Sequence, residues 1–174
     1  MATTPRAGGA NIEFTSYPPA GGGVTVKFPA YIDSISDSYN GSWDEHKDMG
    51  RGDPKFMYNQ YSRNISLAFK TAALAQEEHK TWLKALNRLT EMTKPQYKSG
   101  VGYNGVITRM KIDPLYNVIG FIESVNISID NETPWIDTLP LYISVDLQFR
   151  AIESIKPDYN KKGGLFDGTF DKGA

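Results

Sequence analysis

The residues able to do chemistry are few and badly spaced for it. There are two histidines: His46, in a charged stretch, and His79, beside Glu77 and Glu78. Neither belongs to an H-E-x-x-H pair, the spacing that sets two imidazoles on one helix face around zinc. With no cysteine, disulfides and thiolate metal sites are excluded. Asp33, Asp37, Asp44, Glu45 and Asp48 crowd together, but the alternating carboxylates, turn glycine and distal glutamate of a calcium loop are absent. The cluster reads as solvated acidic surface. Serines are frequent, yet no G-x-S-x-G elbow presents one as a nucleophile. No catalytic constellation emerges, so the chain is expected to be non-enzymatic, without metal or cofactor, and to have a structural or binding role.

Three short motifs have plainer readings. Gly100-Val-Gly102-Tyr-Asn-Gly105 spells G-x-G-x-x-G. Dinucleotide binding needs a strand before that motif and a helix after it, so that phosphate meets the helix N-terminus. Here a helix pattern precedes and a strand pattern follows, so the run reads as a loop. Arg51-Gly-Asp53 leads into Pro54 and is turn chemistry rather than an adhesion tripeptide. Asn40, Asn64, Asn126 and Asn131 each begin an N-x-Ser/Thr sequon. The start, Met1-Ala-Thr-Thr-Pro-Arg, lacks a signal peptide's apolar run, so the sequons imply no glycosylation. Trp135 follows Pro134 and is either a core plug or an interface anchor.

The totals are those of an ordinary globular chain: 174 residues, 40% hydrophobic, 22% charged, net charge −1. That suffices for one domain with a sizeable core. A near-neutral balance leaves no chain-wide footprint for gripping nucleic acid. No stretch approaches the roughly 20 apolar residues of a membrane helix. The expectation is a soluble protein assembled in the cytoplasm.

The elements that must position these residues centre on 58–97. Tyr61, Arg63, Ile65, Leu67 and Phe69 alternate with Ser62, Asn64, Ser66 and Ala68, the period of a half-buried strand. From Leu74 to Met92 the period becomes helical, with Ala75, Trp82, Leu86 and Leu89 on one side and Thr71 able to cap the start. Lys94-Pro95 ends the helix. Elsewhere the chain reads as strand. Val24, Val26 and Phe28 begin one that Pro29 breaks or bends. A polar strand follows over Tyr31–Trp43 and forms a long hairpin with Tyr58–Phe69, tipped by the charged loop 44–54. Gln96–Gly105 and 131–140 read as loops. Strands are expected over Gly105–Ile112, then Val118–Asp130 with Ile119, Phe121, Val125, Ile127 and Ile129 on the apolar face, then Leu141–Ala151. The domain spans 24–156, between a flexible arm at 1–23 and a flexible tail at 157–174. Ile12, Phe14 and Tyr17 make the arm apolar enough to dock on a neighbour.

This order of elements resembles the tail-tube-like proteins of contractile bacteriophage tails, and among them the baseplate tube initiators. The likeness is carried by Arg63-Asn-Ile-Ser-Leu-Ala-Phe69, the Trp82/Leu86/Leu89 helix, Thr93-Lys-Pro95-Gln-Tyr97, Gly120-Phe-Ile-Glu-Ser124, Pro134-Trp135 and the strand Leu141 to Ile152. It covers roughly 24–155. It implies a mainly β (α+β) fold: a tail-tube-like antiparallel β-sandwich or barrel with a long hairpin and one flanking helix. It further implies a homo-hexameric ring around a lumen through which DNA and the tape-measure protein pass. The partners would be baseplate hub proteins and a tail tube protein or second initiator. Such a protein belongs to the virion and is assembled in the host bacterial cytoplasm.

Within that frame, Asp33, Ser36, Asp37, Asp44, Glu45, Lys47, Asp48 and Arg51 are expected to line the lumen or the contact between subunits. Trp82, Leu86 and Leu89 are expected to cover the core, and Trp135 is the candidate interface anchor. A main tail tube protein is the alternative within this class. A monomeric β-sandwich binding module, with Trp135 and tyrosines as its contact surface, is the alternative outside it.

Overall fold

The computed structural model describes residues 10–18, 21–50, 52–72, 76–98, 102–129, 133–136 and 139–152. The fold is mainly β. In chain order the elements are β1 (Ala10–Tyr17), β2 (Thr25–His46), β3 (Lys55–Ala72), α1 (Gln76–Glu91), β4 (Gln96–Lys98) and β5 (Gly102–Asn104). β6 (Ile107–Ile112), β7 (Tyr116–Ser128), β8 (Trp135–Ile136), β9 (Leu139–Pro140) and β10 (Tyr142–Ala151) follow. Six strands close into an antiparallel barrel in the order β1-β2-β3-β10-β7-β6. Closure removes the free strand edges that an open sheet would leave. β4 with β5, and β8 with β9, form two small separate ribbons within stretches read as loops from sequence.

The barrel interior is filled by the inward half of each alternating strand. Ile12 and Phe14 come from β1, Val26 and Phe28 from β2, Ile65, Leu67 and Phe69 from β3, and Val145, Leu147 and Phe149 from β10. Phe28 links the strands through ring contacts to Phe14, 6.3 Å between centroids, and to Phe69, 5.7 Å. α1 follows the end of β3 farthest from the hairpin tip and adds Leu86, Leu89 and Met92 to this core.

Residues 10–17 are not part of a flexible arm. They are a barrel strand paired with β2 on one side and β6 on the other. Ile12, Phe14 and Ser16 alternate inward against Asn11, Glu13 and Thr15, and Glu13 meets Lys27 across the ladder at 3.2 Å. The tail at 157–174 lies outside the described residues. Pro29 does not break β2, because among the described residues it pairs with β1 alone: pairing with β3 begins at Tyr31. Thr71 is a buried residue of β3, not a helix cap.

β7 departs most from its sequence pattern. Tyr116, Gly120 and Ile122 are buried, while Ile119 is 39% exposed. The cause is a bulge: Phe149 pairs with Ile122 but Gln148 pairs with Ser124, leaving Glu123 as an extra residue. An extra residue flips the faces, so past the bulge Val125 and Ile127 lie opposite the inward Leu147 and Val145, Val125 half-buried and Ile127 still 38% exposed. Gly120 sits at the tightest point beside this bulge. A β-carbon there would lie 2.0 Å from the Arg150 carbonyl oxygen and 2.7 Å from the Phe149 ring.

Candidate functional site: the hairpin and the polar sheet face

β2 and β3 outrun the barrel. β1 pairs with β2 only as far as Ala30, and β10 pairs with β3 only from Asn64 onward. From Tyr39 to His46 and from Lys55 to Arg63 the two strands pair only with each other among the described residues. At ~3.3 Å per residue the ribbon projects by about 25 Å.

Its two faces differ in chemistry. One continues the outside of the barrel. Ser34, Ser36 and Ser38 on β2 lie opposite Ala68, Ser66 and Asn64 on β3, and these lie opposite Asp146, Gln148 and Arg150 on β10. The result is a broad face of small polar side chains. Ser66 Oγ donates to Gln148 Oε1 at 2.7 Å, and Arg150 Nε donates to Asn64 Oδ1 at 3.2 Å. Arg150 also pairs with Glu123 at 2.9 Å, and Lys70 pairs with Asp33 at 3.2 Å. These cations on the outer surface of the barrel are therefore engaged by carboxylates.

The other face continues the barrel interior beyond the barrel itself. It carries Tyr39, Trp43, Phe56, Tyr58 and Tyr61, all exposed. Trp43 and Tyr58 are direct cross-strand partners with rings edge to face, centroids 5.0 Å apart. Gly41 lies beside them, where a β-carbon would meet the Tyr58 ring at 3.4 Å, an ordinary contact.

At the root of the ribbon lies a buried ion pair. Asp37 is placed opposite Ile65, facing inward, and its side chain is 3% exposed; that of Arg63 is 11% exposed. Arg63 grips it with a fork, Nε to Oδ1 at 3.1 Å and Nη2 to Oδ2 at 2.7 Å. The Tyr39 hydroxyl donates to Oδ2 at 3.1 Å, and the Arg63 guanidinium lies 4.9 Å from the centre of the Tyr39 ring. Partial burial pushes the Tyr39 phenol up to about 12; the Arg63 charge opposes this and the Asp37 charge and hydrogen bond reinforce it. Tyr116 is raised as well, first by burial and then by the Asp37 charge. Asp37 therefore points into the barrel and is not part of a solvated acidic surface. Sequence placed it on a solvated polar strand because its partner, Arg63, is 26 residues away.

The remaining predicted residues fall in three places. Ser36 lies on the polar face, and Asp33 lies at the β2 irregularity between Ile32 and Ser34. Asp44, Glu45, Lys47 and Asp48 are exposed at the hairpin tip, with Lys47 and Glu45 3.4 Å apart and Asp48 paired to Lys55. Arg51 lies outside the described residues. On α1, Leu86 and Leu89 are buried and Trp82 is half-buried; His79 and, just past the helix, Met92 are buried too, though neither was named among the core contacts from sequence. Trp135 is 56% exposed, which removes the core-plug reading. Among the described residues no three His, Asp or Glu side chains gather as a metal site would require.

No family model matches the chain, and neither does any curated protein. Among solved structures, the chain is similar to a component of the tail of an empty GTA particle, computed with helical refinement in C6 symmetry. Identity is 12%, the TM-score is 0.40, and the match covers 82% of this chain and 92% of that one. It is also similar to a component of the anti-feeding prophage (AFP) baseplate, 6-fold symmetrised. There identity is 11%, the TM-score 0.38, and coverage 88% and 95%.

Proposed function

We propose that this chain is a structural protein of a contractile phage tail baseplate. Six copies form a ring that joins the central hub to the tail tube and nucleates the tube, with a lumen for DNA. The observation that carries this reading is the amphipathic hairpin. Its polar side prolongs the outer face of β2, β3 and β10, and on its aromatic side Trp43, Phe56 and Tyr58 are more than half exposed among the described residues. A sheet with one wet face must bury the other. On the far side of the barrel, Tyr17 on β1 and Ile107 on β6 are exposed cross-strand partners, and Ile119 on β7 is exposed on the same outer face opposite Arg109. Two different patches on one chain make a head-to-tail contact, which closes into a ring when the rotation allows.

In this arrangement the serine-rich face lines the lumen. Dense Lys and Arg would hold DNA phosphates through counterion release. A wall of hydroxyls and amides, with Arg150 and Lys70 held by Glu123 and Asp33, lets a polyanion slide.

Light scattering with electron microscopy of the purified chain tests the reading. Six-fold rings without long tubes support it. Long hollow tubes would instead make this the main tail tube protein. A monomer that still forms no ring when hub protein is added would favour a binding module.

A further inference from the structure

We infer that the buried Asp37–Arg63 pair is a register lock for the long hairpin. This stands independently of the assembly proposed above. The lock lies between two irregularities of the β2–β3 ladder, one between Ile32 and Ser34 and the other between Ser42 and Trp43. Within that segment the outward residues hardly specify a register: Ser34, Ser36 and Ser38 face Ala68, Ser66 and Asn64. A slip of two residues would keep every side chain on its own face and exchange one small polar neighbour for another. The inward residues are different. Asp37 and Arg63 lie diagonally across the two strands, because Arg63 is directly opposite Tyr39 and Asp37 is opposite Ile65. The two-toothed fork from Arg63 and the hydroxyl of Tyr39 both converge on that carboxylate. A slip that sets Ser38 opposite Ser66 moves Asp37 opposite Leu67 and separates the charges while they are shut away from water, whereas the opposite slip would set Asp37 directly across from Arg63, so the lock acts against the first direction.

A buried ion pair is a poor source of net stability, because desolvation offsets its attraction, and apolar residues of similar volume often serve as well. Separating such a pair is costly all the same, which is what a lock requires. A polar pair here favours the native pairing over the one that sets Ser38 opposite Ser66.

The chain has no cysteine, so cysteine pairs can report the register. Ser38→Cys with Asn64→Cys are directly opposite in the native ladder, and Ser38→Cys with Ser66→Cys become opposite after a two-residue slip. With Asp37 and Arg63 intact, mild oxidation should join only the first pair, as a disulfide within one chain identified by peptide mass spectrometry. In a D37L/R63M background the second pair should cross-link as well, with no fall in the thermal midpoint. Cross-linking confined to the native pair in that background overturns the proposal. So does a D37L/R63M chain that fails to fold, since the pair would then act through stability. Arg63→Lys keeps the charge but loses the fork, and it should also admit the slipped cross-link. Native cross-linking alone in that variant is equally fatal.

Discussion

Gly120 lies against Arg150 so closely that a β-carbon on the glycine would sit 2.0 Å from the arginine's carbonyl oxygen. The neighbouring obstacle is backbone, not a side chain that can turn away. Gly120→Ala must therefore move β7 away from β10 beside the Glu123 bulge, at a cost of about 1–3 kcal/mol for overpacking. Urea unfolding followed by circular dichroism measures this, and an unchanged midpoint would show that the two strands separate freely.

The helix is held by its inward stripe. Leu86 is buried, so Leu86→Ala should cost about 2–5 kcal/mol. Trp82→Ala should cost less than a fully buried Trp would, because Trp82 is only half-buried. Equilibrium unfolding of both variants checks the order; a larger loss at Trp82 would contradict the packing of α1.

Trp43→Ala with Tyr58→Ala separates assembly from folding. Both rings are exposed in the single chain and touch each other, so the unfolding midpoint should shift by no more than the roughly 0.5–1.5 kcal/mol of an aromatic pair. Ring formation, read by light scattering, should be lost. Rings that persist would remove the aromatic face from the contact between copies.

Alkaline stability should fall through the tyrosines at the hairpin root. Tyr39 holds its proton up to about 12 in the folded chain, against about 10 when unfolded. Between those values the unfolded state binds fewer protons, so its stability relative to the native state rises with pH. The contribution is complete below about pH 10 and lost as pH climbs toward 12. Tyr39→Phe should flatten that decline, and Tyr116, raised in the same direction, should preserve part of it. Denaturation midpoints between pH 9 and 12 supply the slopes, and identical slopes would exclude Tyr39 as a source.

Ser36→Arg with Ser66→Arg would set two cations opposite each other on the polar face. If that face lines the lumen, DNA retention by assembled rings should rise and weaken steeply with salt. Filter binding at several salt concentrations reads this directly, and unaltered retention would place the face elsewhere.

Much of the fold was legible because the alternation on β3 and β10 is clean and helical spacing in α1 is unambiguous. β1 was obscured by its brevity and by the Gly, Pro and Ala around it, although Ile12, Phe14 and Ser16 already alternated with Asn11, Glu13 and Thr15. β7 misled for a different reason. Its odd positions Ile119, Phe121, Val125 and Ile127 are apolar, but a bulge at Glu123 is a property of two strands together and is not legible from one. The same holds at the hairpin root: Asp37 and Arg63 look like solvated charges until the register places them diagonally across the two strands.

Closure through β1 also sets a timetable for synthesis. β1 pairs with β2 at once, but its other neighbour, β6, begins at Ile107, 90 residues after Tyr17. At about 5–20 residues per second, the ribosome leaves the β1 edge uncovered for roughly 5–20 s. The β2–β3 hairpin pairs entirely within that interval. The nascent chain therefore spends several seconds as a ribbon with Ile12, Phe14, Val26 and Phe28 in water, and that is the interval in which a chaperone or a second nascent copy would meet it.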